Sequence, residues 1–512
     1  MNTVAVNSKV ARCVRELDLE RYKGNLLSLH LIERLIKFLP YLHTLSILSF
    51  DNYMQRRPSS SFLSSLFFTF PSLKRLTFTA TTCDHSLIVD IGYVIKQCPY
   101  LEELKLLMNF NPSNHICQKP KFNEETLGLF EEIGPLKHLK SLEIAGPFVE
   151  NFLFSLLLPR IPNLTKLTVA GGVFTAKYIE QISDACPNIT SLNFIRFDDT
   201  LKLFDQICLD IARYFPKQLT ELSISLSTVR DASSALWKSL GKSVTSISLY
   251  NTKLTNADIK SLAEHIGSSL HTLRLQNVMH NQKPGIRAWT AILCRCGSSL
   301  KVLDISRNNL MNDRIGHLVA RHCRSLYSLS IAKTKISKES IEPMVCSNRS
   351  GLKYLNLSGV RLNEQIVHMV ATHCKNLRNL RLQTFSTMMD DTNLCPLLKG
   401  IGGQLQFLDL RGRIMNSKLC KEVARNCPNL RAISFCNNSK LRDEDVLSLL
   451  LLRPNLQIIN LHCQKCFFVK GGLSGSLISQ IREHGIYGDT WWYQESDRDY
   501  IAPYHKLAGM LD

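Results

Sequence analysis

The sequence predicts an α/β solenoid, a horseshoe with a concave wall of parallel strands and a convex wall of helices, on three observations. One phrase with aliphatic residues at positions one, four and six recurs seventeen times between Val14 and Leu461, as in Leu73-Lys74-Arg75-Leu76-Thr77-Phe78 or Leu352-Lys353-Tyr354-Leu355-Asn356-Leu357. The phrases begin at Val14, Leu42, Leu73, Leu101, Leu139, Leu164, Ile189, Leu219, Val244, Leu270, Leu300, Leu326, Leu352, Leu377, Leu405, Leu430 and Leu456, and all steps but one fall between 25 and 31 residues. A fixed period of this size marks stacked repeats. After each phrase comes helical spacing, as at Ile259, Leu262, Ala263 and Ile266. Together these define a leucine-rich-repeat array of about 17 units.

Each phrase reads as a short strand, because positions four and six point to one side and positions three, five and seven to the other. The aliphatic set faces the core and the alternate set lines the concave sheet. Thr255 or Asn256 is placed to cap the helix that follows the ninth strand. The segment from Leu441 to Leu450 reads as another helix, with Asp443, Glu444 and Asp445 in its first turn, where the helix dipole favours acids. A single repeat buries too little apolar surface to stand alone, so the array is expected to form one curved body. The division is a lead-in at 1–13, the solenoid at 14–461 and a cap or tail at 462–512.

Three segments break the period. The connection from Phe50 to Ser61 carries Arg56, Arg57, Pro58 and a serine run, and reads as a rim loop. Asn109 to Lys121 is rich in Asn, Pro and Lys and stretches its repeat to 38 residues. Beyond His462 the phrase stops and Trp491, Trp492, Tyr493, Tyr500 and Tyr504 cluster. This tail is either the cover that a terminal repeat needs or an aromatic patch for a peptide.

Composition points to an intracellular chain, cytoplasmic or nuclear. The 17 cysteines are scattered, and no N-terminal apolar run resembles a signal peptide. Cys98, Cys186, Cys323, Cys374 and Cys427 each stand three residues before a phrase, which assigns them to helix ends as small buried hydrophobes. The longest apolar stretches, Phe152 to Leu158 and Val446 to Leu452, fall far short of the ~20 residues of a membrane helix. The net charge of +19 suits an acidic partner or a generally basic surface, and without a basic run or an aromatic ladder it gives little support to nucleic acid.

Signals for chemistry are weak. Cys463-Gln464-Lys465-Cys466 has the spacing of half a zinc site, but no second pair follows, with His484 and His505 as the remaining candidates. Gly471 to Ser476 is glycine-rich yet lacks the Gly-Lys-Ser/Thr ending of a phosphate loop. No nucleophile motif is present, so the expectation is a non-enzyme with no metal and no cofactor.

The runs Cys-Pro-Asn-Ile-Thr-Ser-Leu-Asn-Phe at 186–194, Cys-Lys-Asn-Leu-Arg-Asn-Leu-Arg-Leu at 374–382 and Cys-Pro-Asn-Leu-Arg-Ala-Ile-Ser-Phe at 427–435 resemble the cysteine-containing leucine-rich repeats of F-box proteins. The opening from Val14 to Leu19 is similar to the first repeat after the F-box in fungal members. The resemblance implies the substrate receptor of an SCF-type ubiquitin ligase acting in ubiquitin-dependent protein degradation, with the F-box docked on a Skp-family adaptor. Only thirteen residues precede Val14 and no F-box is visible among them, so the chain as given is expected not to hold that adaptor. A stand-alone interaction scaffold is the alternative.

The rows at positions three, five and seven suggest where a partner sits. Up to the ninth phrase they are mostly small or polar, such as Ser141, Glu143, Lys166, Thr168, Ser223 and Ser248. From the tenth they gain Arg274, Asp304, Arg307, Tyr354, Arg381, Phe407, Asp409 and Arg411. Arginine and aromatics dominate interface hot spots, so these eight residues are the candidate site for a protein partner, acidic or phosphorylated. Arg–Asp pairs across neighbouring strands would give the same pattern, and both readings stay open here.

Overall fold

Strands and helices alternate through the computed structural model as the phrase demands. It describes residues 16–18, 41–48, 72–80, 85–108, 124–146, 152–171, 176–195, 204–225, 233–252, 254–266, 269–278, 285–361, 363–383, 391–436, 441–452, 456, 458–460 and 477. The loops expected at 50–61 and 109–121 lie outside these residues, as does the tail from 462 except Leu477. The chain divides into two compact units, residues 1–226 and 227–512.

The first unit carries β1 (Glu16–Asp18), β2 (Thr44–Leu48), β3 (Arg75–Ala80), β4 (Glu103–Met108), β5 (Ser141–Ala145), β6 (Lys166–Ala170), β7 (Ser191–Ile195) and β8 (Glu221–Ser225). Each pairs in parallel with the next. Its helices are α1 (His85–Lys96), α2 (Glu124–Ile133), α3 (Ala176–Ala185) and α4 (Phe204–Tyr214). Between β5 and β6 the apolar run Phe152–Leu157 winds as a π-helix and passes into a 3-10 turn, Leu158–Arg160, that contains Pro159.

The second unit carries β9 (Ser246–Tyr250), β10 (Thr272–Gln276), β11 (Val302–Asp304), β12 (Ser328–Ser330), β13 (Tyr354–Asn356), β14 (Asn379–Arg381), β15 (Phe407–Ile414), β16 (Ala432–Cys436) and β17 (Ile458–Asn460), again parallel in chain order. Its helices are α5 (Ser233–Leu240), α6 (Asn256–His265), α7 (Ile286–Cys296), α8 (Asp313–His322), α9 (Lys338–Ser347), α10 (Glu364–His373), α11 (Asp391–Ile401), α12 (Ser417–Asn426) and α13 (Asp443–Leu452). This is the leucine-rich-repeat architecture in each unit: a parallel strand, a turn and a helical return, stacked repeat upon repeat.

The phrase explains the core. Leu273 and Leu275 on β10, Leu303 and Ile305 of the next repeat, and their equivalents are fully buried, and the helices answer with Trp289, Ile292 and Leu293. Along β5 burial alternates residue by residue, the aliphatic pair inside and Ser141, Glu143 and Ala145 half-exposed. Thr255 is the cap of α6: its hydroxyl accepts from the Asp258 N–H, and Asp258 accepts in return from the Thr255 N–H at 2.7 Å. Asp443, Glu444 and Asp445 open α13 as the sequence predicts.

The five periodic cysteines are all fully buried. Burial pushes the thiols of Cys186, Cys323 and Cys374 up to about 12, which leaves them protonated and inert. No helix among the described residues is long and apolar enough to cross a membrane.

In seven repeats position eight, one residue past the row, takes a left-handed turn. Gly146, Gly171, Asn251, Asn277, Arg307, Lys333 and Gly359 all stand there, and all have positive φ. Each donates its N–H to the position-seven carbonyl of the next repeat, as Gly171 does to Ile195 and Arg307 to Ala332. The left-handed turn carries the ladder one bond further while turning the chain out of the sheet. Glycine and asparagine suit it; for other residues it costs roughly 1–2 kcal/mol. At Gly171 (φ +82) a Cβ would also meet the Gly146 carbonyl oxygen at 2.9 Å. Gly171→Ala is therefore expected to destabilise the chain by about 2 kcal/mol, measured as a lower urea midpoint, whereas alanine at Gly128, inside α2 with open space around it, should hold or slightly raise the midpoint.

Candidate functional site

Parallel register assembles the position-five side chains of the second unit into one row. Arg274 is level with Asp304, Asp304 with Ser330, Ser330 with Asn356, Asn356 with Arg381, Arg381 with Asp409 and Asp409 with Ser434. Arg274 and Asp304, and Arg381 and Asp409, are thus neighbours across adjacent strands. Three members share a further role: Asp304, Asn356 and Asp409 each accept a hydrogen bond from the N–H of position seven, at 2.9, 3.0 and 3.0 Å. These side chains brace their own strand ends.

Around Arg381 the site is dense. Arg381, Asp409 and Arg411 are 3 %, 0 % and 3 % exposed, so their charges have left water. Arg411 meets Asp409 with two guanidinium nitrogens, Nη2 to Oδ2 at 2.8 Å and Nε to Oδ1 at 3.0 Å. Burial acts to raise the Asp409 carboxyl, but the Arg411 charge and hydrogen bonds, helped by Arg381, hold it below the usual carboxylate range. Arg381 lies 5.2 Å from the Phe407 ring centroid and 5.8 Å from that of Tyr354, within cation–π range of both. Register makes that possible, since Tyr354 and Phe407 stand one strand either side of Asn379.

The other candidates are placed differently. Arg274 and Tyr354 are half-exposed on the sheet face, whereas Phe407 is buried. Asp304 is buried, and burial pushes its carboxyl up in spite of Ser306, Arg274 and Ser330. Arg307 lies at position eight, beyond the row it was read with, and its left-handed backbone (φ 60) carries it to the rim.

Part of the set lines a small open groove together with its neighbours: Gln276, Ser306, Arg307, Ala332, Lys333, Asn356, Ser358, Arg381, Gln383, Asp409 and Arg411. It presents four cationic side chains and one carboxylate, which is engaged by Arg411. Gln276 Oε1 is buried there and accepts no hydrogen bond from the described residues. The groove brings together Arg307, Arg381, Asp409 and Arg411 of the predicted set; Arg274, Asp304, Tyr354 and Phe407 do not line it. Gln276 was read in the tenth row beside Arg274, whereas sequence reasoning missed Lys333 and Ser358. The signal for Lys333 was available in the Gly or Asn found at position eight of sister repeats.

In the first unit the same face pairs its own charges, Lys105 lying 3.0 Å from Glu103 and 3.5 Å from Glu143. Among the described residues no three His, Cys, Asp or Glu side chains are grouped to hold a metal ion.

No family model matches the sequence, and no curated protein matches it. Among solved structures the chain is similar to one in the complex of Rad7 and Elc1 from yeast, at 15% identity and a TM-score of 0.38, over 82% of this chain and 81% of that one. An internalin from Listeria monocytogenes is matched at 11% identity and 0.34, over 90% of both chains. The leucine-rich-repeat protein LegL7 from Legionella pneumophila is matched at 14% and 0.33, over 63% of this chain and 90% of its own.

The two buried carboxylates give opposite pH signatures. Asp409, held low, contributes stability above the unfolded carboxylate range and loses it as pH falls through its folded value. Asp304, pushed up, favours the fold in acid and loses that contribution as pH rises through its folded value. Asp409→Ala is expected to cost about 3–5 kcal/mol at neutral pH by stranding Arg411, and less in acid. Asp304→Asn, which keeps the acceptor that Asn356 uses, should raise the denaturation midpoint at neutral pH and lose that advantage in acid. Midpoints measured across pH check both signs.

Proposed function

We propose that the sheet face of the second unit recognises a protein partner and that its groove takes an acidic segment of that partner. The observation that carries this reading is the charge of the groove: Arg307, Lys333, Arg381 and Arg411 against Asp409 alone. A carboxylate-rich strand laid across it would meet cations at a desolvated floor, where charge-assisted hydrogen bonds are strongest. Gln276 Oε1 adds an acceptor suited to an amide N–H of the same segment. Arg411 serves mainly as a support, since its guanidinium is committed to Asp409; Arg307 and Lys333 at the rim and Arg381 at the floor make the charge complementarity.

On the likeness of the three cysteine-containing runs to F-box repeat proteins, the recognised partner is a substrate and the chain is the receptor part of an SCF-type ubiquitin ligase. An F-box supplied by sequence upstream of Met1 would dock the Skp-family adaptor. Affinity purification with and without that upstream sequence separates this role from a stand-alone scaffold: the adaptor accompanies the extended chain in the first case and neither form in the second.

Once a partner is purified, Arg307→Glu and Lys333→Glu are expected each to weaken its binding by roughly 1–3 kcal/mol, read by calorimetry. Lys166→Ala, on the sheet face of the first unit, should change little. Equal losses at all three positions would mean diffuse attraction by a basic surface. Binding to generic DNA or RNA with a steep salt dependence would replace the protein partner by nucleic acid.

A further inference from the structure

The helical side of the second unit holds a nucleophile that neither the repeat nor the groove uses. We infer that Cys294 is a thiol-modification site for small disulfides and soft electrophiles, activated by the imidazole of His322. Cys294 lies near the end of α7 and His322 closes α8, the next helix. Sγ is 3.6 Å from His322 Nε2 and 3.8 Å from Nδ1, within hydrogen-bonding range for sulfur whichever nitrogen is unprotonated.

Three features set this thiol apart. Among the described cysteines it alone is exposed; Cys346 is half-buried and the remainder are buried. It has no packing role, because Cys296, two residues on and therefore on the opposite side of the helix, supplies the core contact, with a thiol raised by burial to about 11. Its partner is an imidazole in the last turn of α8, with both ring nitrogens within hydrogen-bonding range of Sγ. A thiol beside a base at this reach is the arrangement that generates a nucleophile.

The reaction is disulfide exchange. The Cys294 proton passes to His322, the thiolate attacks one sulfur of a small disulfide, a new S–S bond forms as the old one breaks, and the departing thiolate takes the proton from His322. One thiol and one disulfide give a mixed disulfide and one free thiol, so no other oxidant or reductant is required. The site lies on the helices, away from the groove residues, so modification there decorates the protein and leaves the groove open.

Limiting iodoacetamide on the folded chain, followed by peptide mapping, tests the inference. Cys294 is expected to label ahead of Cys98, Cys186, Cys296, Cys323 and Cys374, and His322→Ala should slow it about tenfold, with His322→Asn as a second variant. In denaturant the wild type and both variants should label Cys294 at one rate, and continued protection of the buried cysteines in buffer reports that the variants are folded. Oxidised glutathione should add one mixed disulfide at Cys294 that Cys294→Ser abolishes. A folded-state rate at Cys294 equal to the denatured rate, or one unmoved by either His322 variant, overturns the assignment; so does glutathione addition that persists at Cys294 at the same rate without His322.

Discussion

In seven repeats an amide just past the strand ties one repeat to the next, and that tie shapes the sheet face around the groove. The position-eight N–H reaches the position-seven carbonyl of its neighbour in seven repeats, at 2.7 to 3.0 Å, and it does so from a left-handed backbone. Without that turn the strand would run on in the sheet plane. With it, the ladder gains a bond and the chain is thrown toward the helical layer at a fixed residue. The same contact extends the register set by the parallel ladder.

The register in turn creates the polar row. Hydrogen-bonded parallel strands stand ~4.8 Å apart, so any side chain at position five has two same-position neighbours within reach. In the second unit this places Arg274 beside Asp304 and Arg381 beside Asp409. Such pairs are costly to desolvate and tolerable only when well bonded. Asp409 meets that condition through the bidentate Arg411 contact and the Arg411 N–H, and its carboxyl is held low; Asp304 has hydroxyl and amide partners with a more distant arginine, and burial wins. Two aspartates at one repeat position, both buried, are therefore tuned in opposite directions by what stands two residues further on: Arg411 in one case, Ser306 in the other.

Position eight also supplies the groove with its rim. Where other repeats place glycine or asparagine at the left-handed residue, two successive repeats place Arg307 and Lys333. Both accept a backbone strain of roughly 1–2 kcal/mol, and both line the groove above the Arg381 floor. The side of the molecule formed by the helices is chemically separate, and Cys294 with His322 belongs to it.

How much of this was legible in the chain itself can be said residue by residue. The strands, the helices and the inside-outside alternation followed from local pattern alone, because aliphatic residues at positions one, four and six leave one arrangement that buries them all. Thr255 or Asn256 and the acids of α13 were readable as helix starts, and the five cysteines as buried helix ends, for the same local reasons; the structure gives the cap to Thr255. The types of the sheet-face residues were legible too, and Arg274, Arg381 and Arg411 stood out. What a linear sequence does not carry is which side chain two residues or one strand away takes hold of each charge. That Arg411 is consumed by Asp409, that Arg381 rests between Tyr354 and Phe407, and that Lys333 joins the groove while Arg274 does not were decided by distances across strands, set by register and by the left-handed turn. Hydrophobic periodicity is a property of the chain; the state of a buried charge is a property of its neighbours in space.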